Sequence, residues 1–143
     1  MDEPNFPHVV PSFTVDAVEP LRDFYIEQLG FAHMMGIVGK DGKLDTAIVV
    51  RDGMTVMIGR AEKPAPGTEL TPKYDRTVDL YFYVRDVDAY HAEIAARGVA
   101  IVDALTTHWW GDRSFRVKDP YGYSISFAQT VAEFNPPADV KAM

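Results

Sequence analysis

The sequence predicts an α+β fold made of two tandem βαβββ modules with largely antiparallel sheets. The first observation behind this is a near-repeat at a shift of 69 residues. Gly53-Met54-Thr55-Val56-Met57-Ile58 returns as Gly122-Tyr123-Ser124-Ile125-Ser126-Phe127, and Val15-Asp16-Ala17-Val18 as Val84-Arg85-Asp86-Val87. The helix stop Leu29-Gly30-Phe31 returns near Arg97-Gly98-Val99. A shared period that aligns a strand-to-helix junction, a helix stop and a turn-to-strand junction marks a duplicated module. The second observation is a period of two in the first strand, where Phe13 and Val15 alternate with Ser12 and Thr14, with matching apolar positions at Phe82 and Val84 in the second copy. The third is that only two stretches have helical spacing, too few for a doubly wound parallel sheet with a helix after each strand.

Each element has a local reason. Residues 9–15 read as a strand in which Phe13 and Val15 alternate with Ser12 and Thr14. Asp16 can cap the following helix, and Pro20 sits in its first turn, where a missing N–H costs little. Leu21, Phe24, Tyr25 and Leu29 recur at helical spacing, and Gly30 ends the helix. After a Lys40-Asp41-Gly42-Lys43 turn, residues 46–50 and 54–58 form strands joined by the hairpin signal Arg51-Asp52-Gly53. The second module repeats the plan. Residues 78–84 form a strand, Asp86 caps a helix with Val87, Tyr90, Ile94 and Ala95 on its apolar face, and Gly98 closes it. Strands follow at residues 99–102, 114–117 and 123–127. The modules are expected at residues 1–62 and 77–130, with a proline-rich linker at 63–76 and a C-terminal tail at 131–143 that becomes loose at Pro136-Pro137.

Composition narrows the function classes. The chain has 143 residues and no cysteine, which excludes disulfides, Fe–S clusters, thiolate zinc sites and cysteine nucleophiles. A net charge of −7 argues against nucleic acid, which needs basic patches to displace counterions. No apolar run approaches the roughly 20 residues of a membrane helix, and the acidic, proline-broken start does not resemble a secretory signal. A cytoplasmic protein is expected.

The repeat also sorts the strand faces. Phe13, Val15, Val56 and Ile58 match Phe82, Val84, Ile125 and Phe127, all apolar and expected under the helices. The opposite faces carry Val10, Ser12, Thr14, Thr55 and Met57 in one copy. In the other they carry Asp79, Tyr81, Tyr83, Ser124 and Ser126. A mixed polar and aromatic face fits either a ligand cavity or one solvated side of an antiparallel sheet.

Three segments together resemble one family. They are Leu21-Arg22-Asp23-Phe24-Tyr25 with Leu29-Gly30-Phe31, then Trp110-Gly111-Asp112-Arg113-Ser114-Phe115, then Asp119-Pro120-Tyr121-Gly122 running to Phe127. In order, and with the duplication, they resemble the glyoxalase/bleomycin resistance/dioxygenase superfamily, also called vicinal oxygen chelate proteins. The resemblance implies a mostly antiparallel sheet cupped around an active site. Enzymes of the family hold a divalent metal from the first and last strands of each module, and these places fall near Val10, Met57, Asp79 and Ser126. Only Asp79 is a strong ligand there, whereas a catalytic metal normally needs about three. His8 and Asp79 are therefore weak metal candidates, and no metal or other cofactor is expected.

The metal-free, bleomycin-resistance-like members sequester drugs, commonly as homodimers. Their Trp-Gly-x-Arg-x-Phe segment resembles Trp110 to Phe115. On this reading Trp110 offers a face for stacking on an aromatic or cationic ligand. Tyr81, Tyr83 and Asp79 supply an aromatic wall and a negative charge, with Met57, Ser124 and Ser126 lining the same faces. Arg113 either orients a ligand carboxylate or pairs with Asp112 or Asp119. Trp109 and Trp110 point to opposite sides if the chain is extended. Sequestration of a small molecule, with antibiotic resistance as one outcome, is the expected function. A metal-dependent lyase, isomerase or dioxygenase of the same family is the alternative, and a metal-free enzyme with Asp79 as general base is a third. The expected partners are a small molecule and a second copy of the chain, with neither nucleic acid nor membrane.

Overall fold

The computed structural model describes residues 9–63 and 78–143. Its elements, in chain order, are β1 (Ser12–Val15), α1 (Val18–Asp23), β2 (Ala32–Val38), β3 (Leu44–Arg51), β4 (Met54–Arg60), β5 (Asp79–Tyr83), α2 (Val87–Ala96), β6 (Ile101–Thr107), β7 (Asp112–Lys118) and β8 (Ser124–Thr130). They form two four-stranded sheets of identical topology, β1-β4-β3-β2 and β5-β8-β7-β6. In each, the first strand pairs in parallel with the last and the other pairings are antiparallel. The chain divides into two compact units, one holding β1–β4 together with the turn at 119–122, the other holding β5–β8.

The register of the two sheets matches residue for residue. Ser12 stands opposite Met57 and Phe13 opposite Ile58, while Tyr81 stands opposite Ser126 and Phe82 opposite Phe127. Both β4 and β8 are therefore offset by 69 from one another, as are β1 and β5. Ile48 faces Met57 where Arg116 faces Ser126, so β3 and β7 are related by 68. The difference is absorbed in the hairpin turn, which is one residue longer in the second unit.

In the first unit, α1 lies on the face of β3 and β4 that carries Ala47, Val49, Val56 and Ile58, all fully buried with Val15 and Leu21. The strand expected at 9–15 starts only at Ser12. Pro11 has no N–H to give a ladder, and its carbonyl instead accepts from Met57 N at 2.9 Å. Asp16 does not cap α1, whose N-cap is Ala17 without a side-chain bond. The Asp16 carboxylate accepts from the Tyr121 hydroxyl instead. That hydroxyl also lies 2.7 Å from Ala17 O and accepts from Ala17 N at 3.2 Å. The helix then loosens into a π-helical turn, Phe24–Gln28, with Leu29 N bonded back to Phe24 O. Asp52 and Gly53 both have positive φ, 47° and 83°, the conformation that closes a tight hairpin in register with strand twist.

His33 belongs to β2, a strand exposed along its whole length. In the second unit, Asp86 caps α2 as expected, accepting from Ala89 N at 3.0 Å. Val87, Tyr90 and Ile94 are buried beneath it. Ala95 is exposed, because one step past Ile94 turns about 100° off the stripe. Tyr90 stands edge-on to Phe127 at 4.8 Å, and His91 packs edge-on against Phe115 at 5.0 Å. No helix among the described residues is long and apolar enough to cross a membrane.

Candidate functional site

The alternation that buries Phe115, Val117, Ile125 and Phe127 beneath α2 turns Asp112, Ser114, Arg116, Ser124 and Ser126 to the other face of the sheet. The strand register assembles them into rows. One row runs Asp103–Arg116–Ser126–Tyr81 across β6, β7, β8 and β5, and the next runs Thr106–Ser114–Ala128–Tyr83. Two register shifts bend β6 along these rows, as bulges near binding sites commonly do.

Over this face opens a cavity of about 450 Å³, lined by Asp79, Tyr81, Ser126, Trp110, His108 and Arg116 among others. At one end, the His108 ring stacks on Trp110 with centroids 4.1 Å apart and planes 4° from parallel. A hydrogen bond between His108 Nε2 and Ser114 Oγ at 3.1 Å, and one from His108 N to Asp112 O at 2.8 Å, hold the imidazole there. At the other end, Arg116 pairs with Asp103, and its Nε–H is buried with no acceptor among the described residues. Among the described residues, Asp79 accepts only from Ser126 Oγ, at 3.3 Å. Partial desolvation raises the Asp79 carboxyl above its ordinary range, helped by Asp103 and opposed by Ser126 and Arg116.

Asp112 organises the wall between these ends. Its Oδ2 accepts from Tyr81 at 2.9 Å and Tyr83 at 2.8 Å, and its Oδ1 from Thr130 at 2.9 Å. Burial alone would raise its pKa, but the three hydroxyls and the nearby His108 outweigh that and hold it below the ordinary value. In return, Tyr83 is pushed up chiefly by its bond to Asp112, and Tyr81 chiefly by desolvation and then by that bond.

Of the residues singled out in the sequence, Asp79, Tyr81, Trp110 and Ser126 line the cavity. Tyr83 does not; it buttresses Tyr81 edge-on at 5.5 Å and shares Asp112 with it. Ser124 is buried in register with Asp79 without reaching the cavity. Met57 stands in the first unit between Ser12 and Ile48. Arg113 faces the helix side, where it pairs with Asp88 of α2 at 3.1 Å and not with Asp112 or Asp119. An odd step along β7 separates it from the cavity face. Both tryptophans sit in a turn rather than a strand, and Trp109 packs against Phe134 at 5.4 Å. Residues 131–135 dock on this turn through Gly111 O and Trp109 O, so the tail is anchored at its start. His108, Asp112 and Arg116 went unassigned in the sequence; two of them lie at even steps from Ser114 on β7, which is the signal that marks them.

The metal places of the family do not fit here. Val10 lacks a donor, Met57 is a thioether, and the Ser126 hydroxyl is committed to Asp79. Among the described residues, no group of three or more His, Cys, Asp or Glu could hold a metal ion. His8 lies outside the described residues.

Known proteins match this architecture. An uncharacterized protein of Mycobacterium bovis is 33% identical over 132 residues, covering 90% of this chain and 87% of its own. TioX from Micromonospora sp. ML1 shares the fold at a TM-score of 0.69 and 22% identity, covering 87% of this chain and 99% of its own. TnmS3, an antibiotic binding protein from Streptomyces sp. CB03234, aligns at a TM-score of 0.61 and 28% identity over 90% of this chain and 99% of its own. Residues 5–127 match the model of one family, and the chain belongs to it: the Glyoxalase/Bleomycin resistance protein/Dioxygenase superfamily.

Proposed function

We propose that this is a metal-free small-molecule-binding protein that sequesters an aromatic or cationic compound in the cavity of its second unit, conferring resistance where that compound is an antibiotic. The observation that carries the reading is the flat His108–Trp110 stack at one end of a cavity in which Asp103 is already tied to Arg116 and, among the described residues, no group of three or more His, Cys, Asp or Glu could hold a metal ion. Such a surface binds planar rings through stacking and area burial, without a reacting group aimed at them. TnmS3, an antibiotic binding protein of similar structure, lends support by likeness. A homodimer belongs to the same reading. The β2 edge exposes Met34, Met35, Ile37 and Val38, a strand that a second copy would cover.

The test is titration of intrinsic tryptophan fluorescence with a panel of planar aromatic compounds, some of them cationic. Saturable quenching in the wild type that weakens about tenfold or more in Trp110→Ala is expected. Absence of quenching across the panel, or near-stoichiometric Ni, Zn, Fe or Mn in the purified protein, would overturn the proposal.

A further inference from the structure

We infer that the cavity is polarised and takes elongated ligands, with a planar ring at the His108–Trp110 stack and a protonated amine at Asp79. The inference rests on the binding reading above and adds to it an orientation, a second functional group and a length.

The charges decide the amine end. Arg116 and Asp103 form a pair and cancel. The Asp112 charge is met by three hydroxyl donors. Asp79 has one long hydrogen bond for a carboxylate that can accept about four. It is the one cavity carboxylate whose charge is left largely unanswered, and an ammonium with three N–H donors is the group that answers it.

The register sets the length. Ser126, which holds Asp79, and Ala128, which stands opposite the Ser114 that anchors the His108 ring, are separated by two residues of β8. At the rise of a strand this is about 7 Å, so ring and nitrogen should be about 7 Å apart.

The experiment uses naphthalene probes carrying a terminal primary amine on tethers of about one, three and eight carbons, together with the N-acetylated probe and naphthalene with no tether. Binding is read by fluorescence and calorimetry on the intact protein. Affinity should peak at the middle tether, about tenfold above the acetylated probe, and Asp79→Asn should erase that gain while leaving the untethered ring unaffected. The acetylated comparison is made on the wild type, so it stands even if Asp79→Asn folds poorly. Equal affinity of amine and acetylated probes, or no dependence on tether length, would overturn the inference while leaving the binding reading intact. Failure of every naphthalene probe to bind would overturn both.

Discussion

Replacing Asp112 with alanine probes the centre of the site's architecture. The side chain is 6% exposed and accepts three hydroxyl hydrogen bonds. Bonds to a charged group are worth roughly 1.5–3 kcal/mol each, but the three do not simply add. Tyr81 and Tyr83 are 43% and 60% exposed, so their hydroxyls regain water once the carboxylate is gone, and burying the carboxylate was itself unfavourable. A net loss of about 2–3 kcal/mol is expected, equivalent to a drop of about 6–10 °C in Tm for a chain of this size. The sign with pH follows from the native pKa. Burial pushes it up, yet the hydroxyls of Tyr83, Thr130 and Tyr81 with the charge of His108 prevail, and it lies below the unfolded value. The contribution is therefore complete above about pH 4 and fades as pH falls through the native pKa. Urea unfolding followed by circular dichroism should show the full gap at neutral pH and convergence of mutant and wild type in strong acid. A gap below about 0.5 kcal/mol at neutral pH, or one that persists undiminished in acid, would refute the role given to Asp112.

Three further outcomes follow from single contacts. Gly111 has φ 102°, and a Cβ there would sit 2.4 Å from Ala132 O, so Gly111→Ala should cost about 2–4 kcal/mol and open residues 131–135 to limited proteolysis. Tyr121→Phe removes the hydroxyl shared by Asp16 and Ala17, and should lower stability by about 1–2 kcal/mol in denaturant titration without altering ligand affinity. Arg113→Ala loses a half-exposed ion pair with Asp88 and an exposed hydrogen bond to the Thr107 hydroxyl; it should change stability by no more than about 1 kcal/mol and leave quenching by aromatic probes as in the wild type.

What could be read from the sequence was whatever local chemistry decides. Asp52-Gly53 needs positive φ, Asp86 meets an N–H three residues on, and Phe82 and Phe127 alternate with polar neighbours, so turn, cap and faces were all legible. The misreadings involve partners distant in sequence. Asp16 looks like a cap until Tyr121, 105 residues away, takes its carboxylate. Arg113 looks like a ligand contact until α2 presents Asp88. Strand β2 escaped notice because all of it is exposed, which leaves no alternation to detect. The His108–Trp110 stack depends on a turn in which Gly111 adopts φ 102°, and no periodicity encodes that geometry.

The duplication supplies an internal control on whether the polar rows are a requirement of the fold. Where the second unit sets Asp103–Arg116–Ser126–Tyr81 across its sheet, the first sets Met35–Ile48–Met57–Ser12 at the same register positions. Where the second has Thr106–Ser114–Ala128–Tyr83, the first has Ile37–Thr46–Gly59–Thr14. Backbone, topology and pairing are the same, yet one face is largely methionine and isoleucine and the other holds an ion pair, a serine and a tyrosine. Strand pairing is therefore satisfied by either set. An ion pair and a nearly unanswered carboxylate on a sheet face cost desolvation that apolar residues avoid. Residues that the fold does not need, and that stability disfavours, are best explained by what they bind. The same comparison makes a grafted first-unit row, Arg116→Ile with Asp103→Met, an expected gain or parity in stability and a loss of polar ligand recognition. A marked loss of stability in that double variant would instead mean that the ion pair serves the fold.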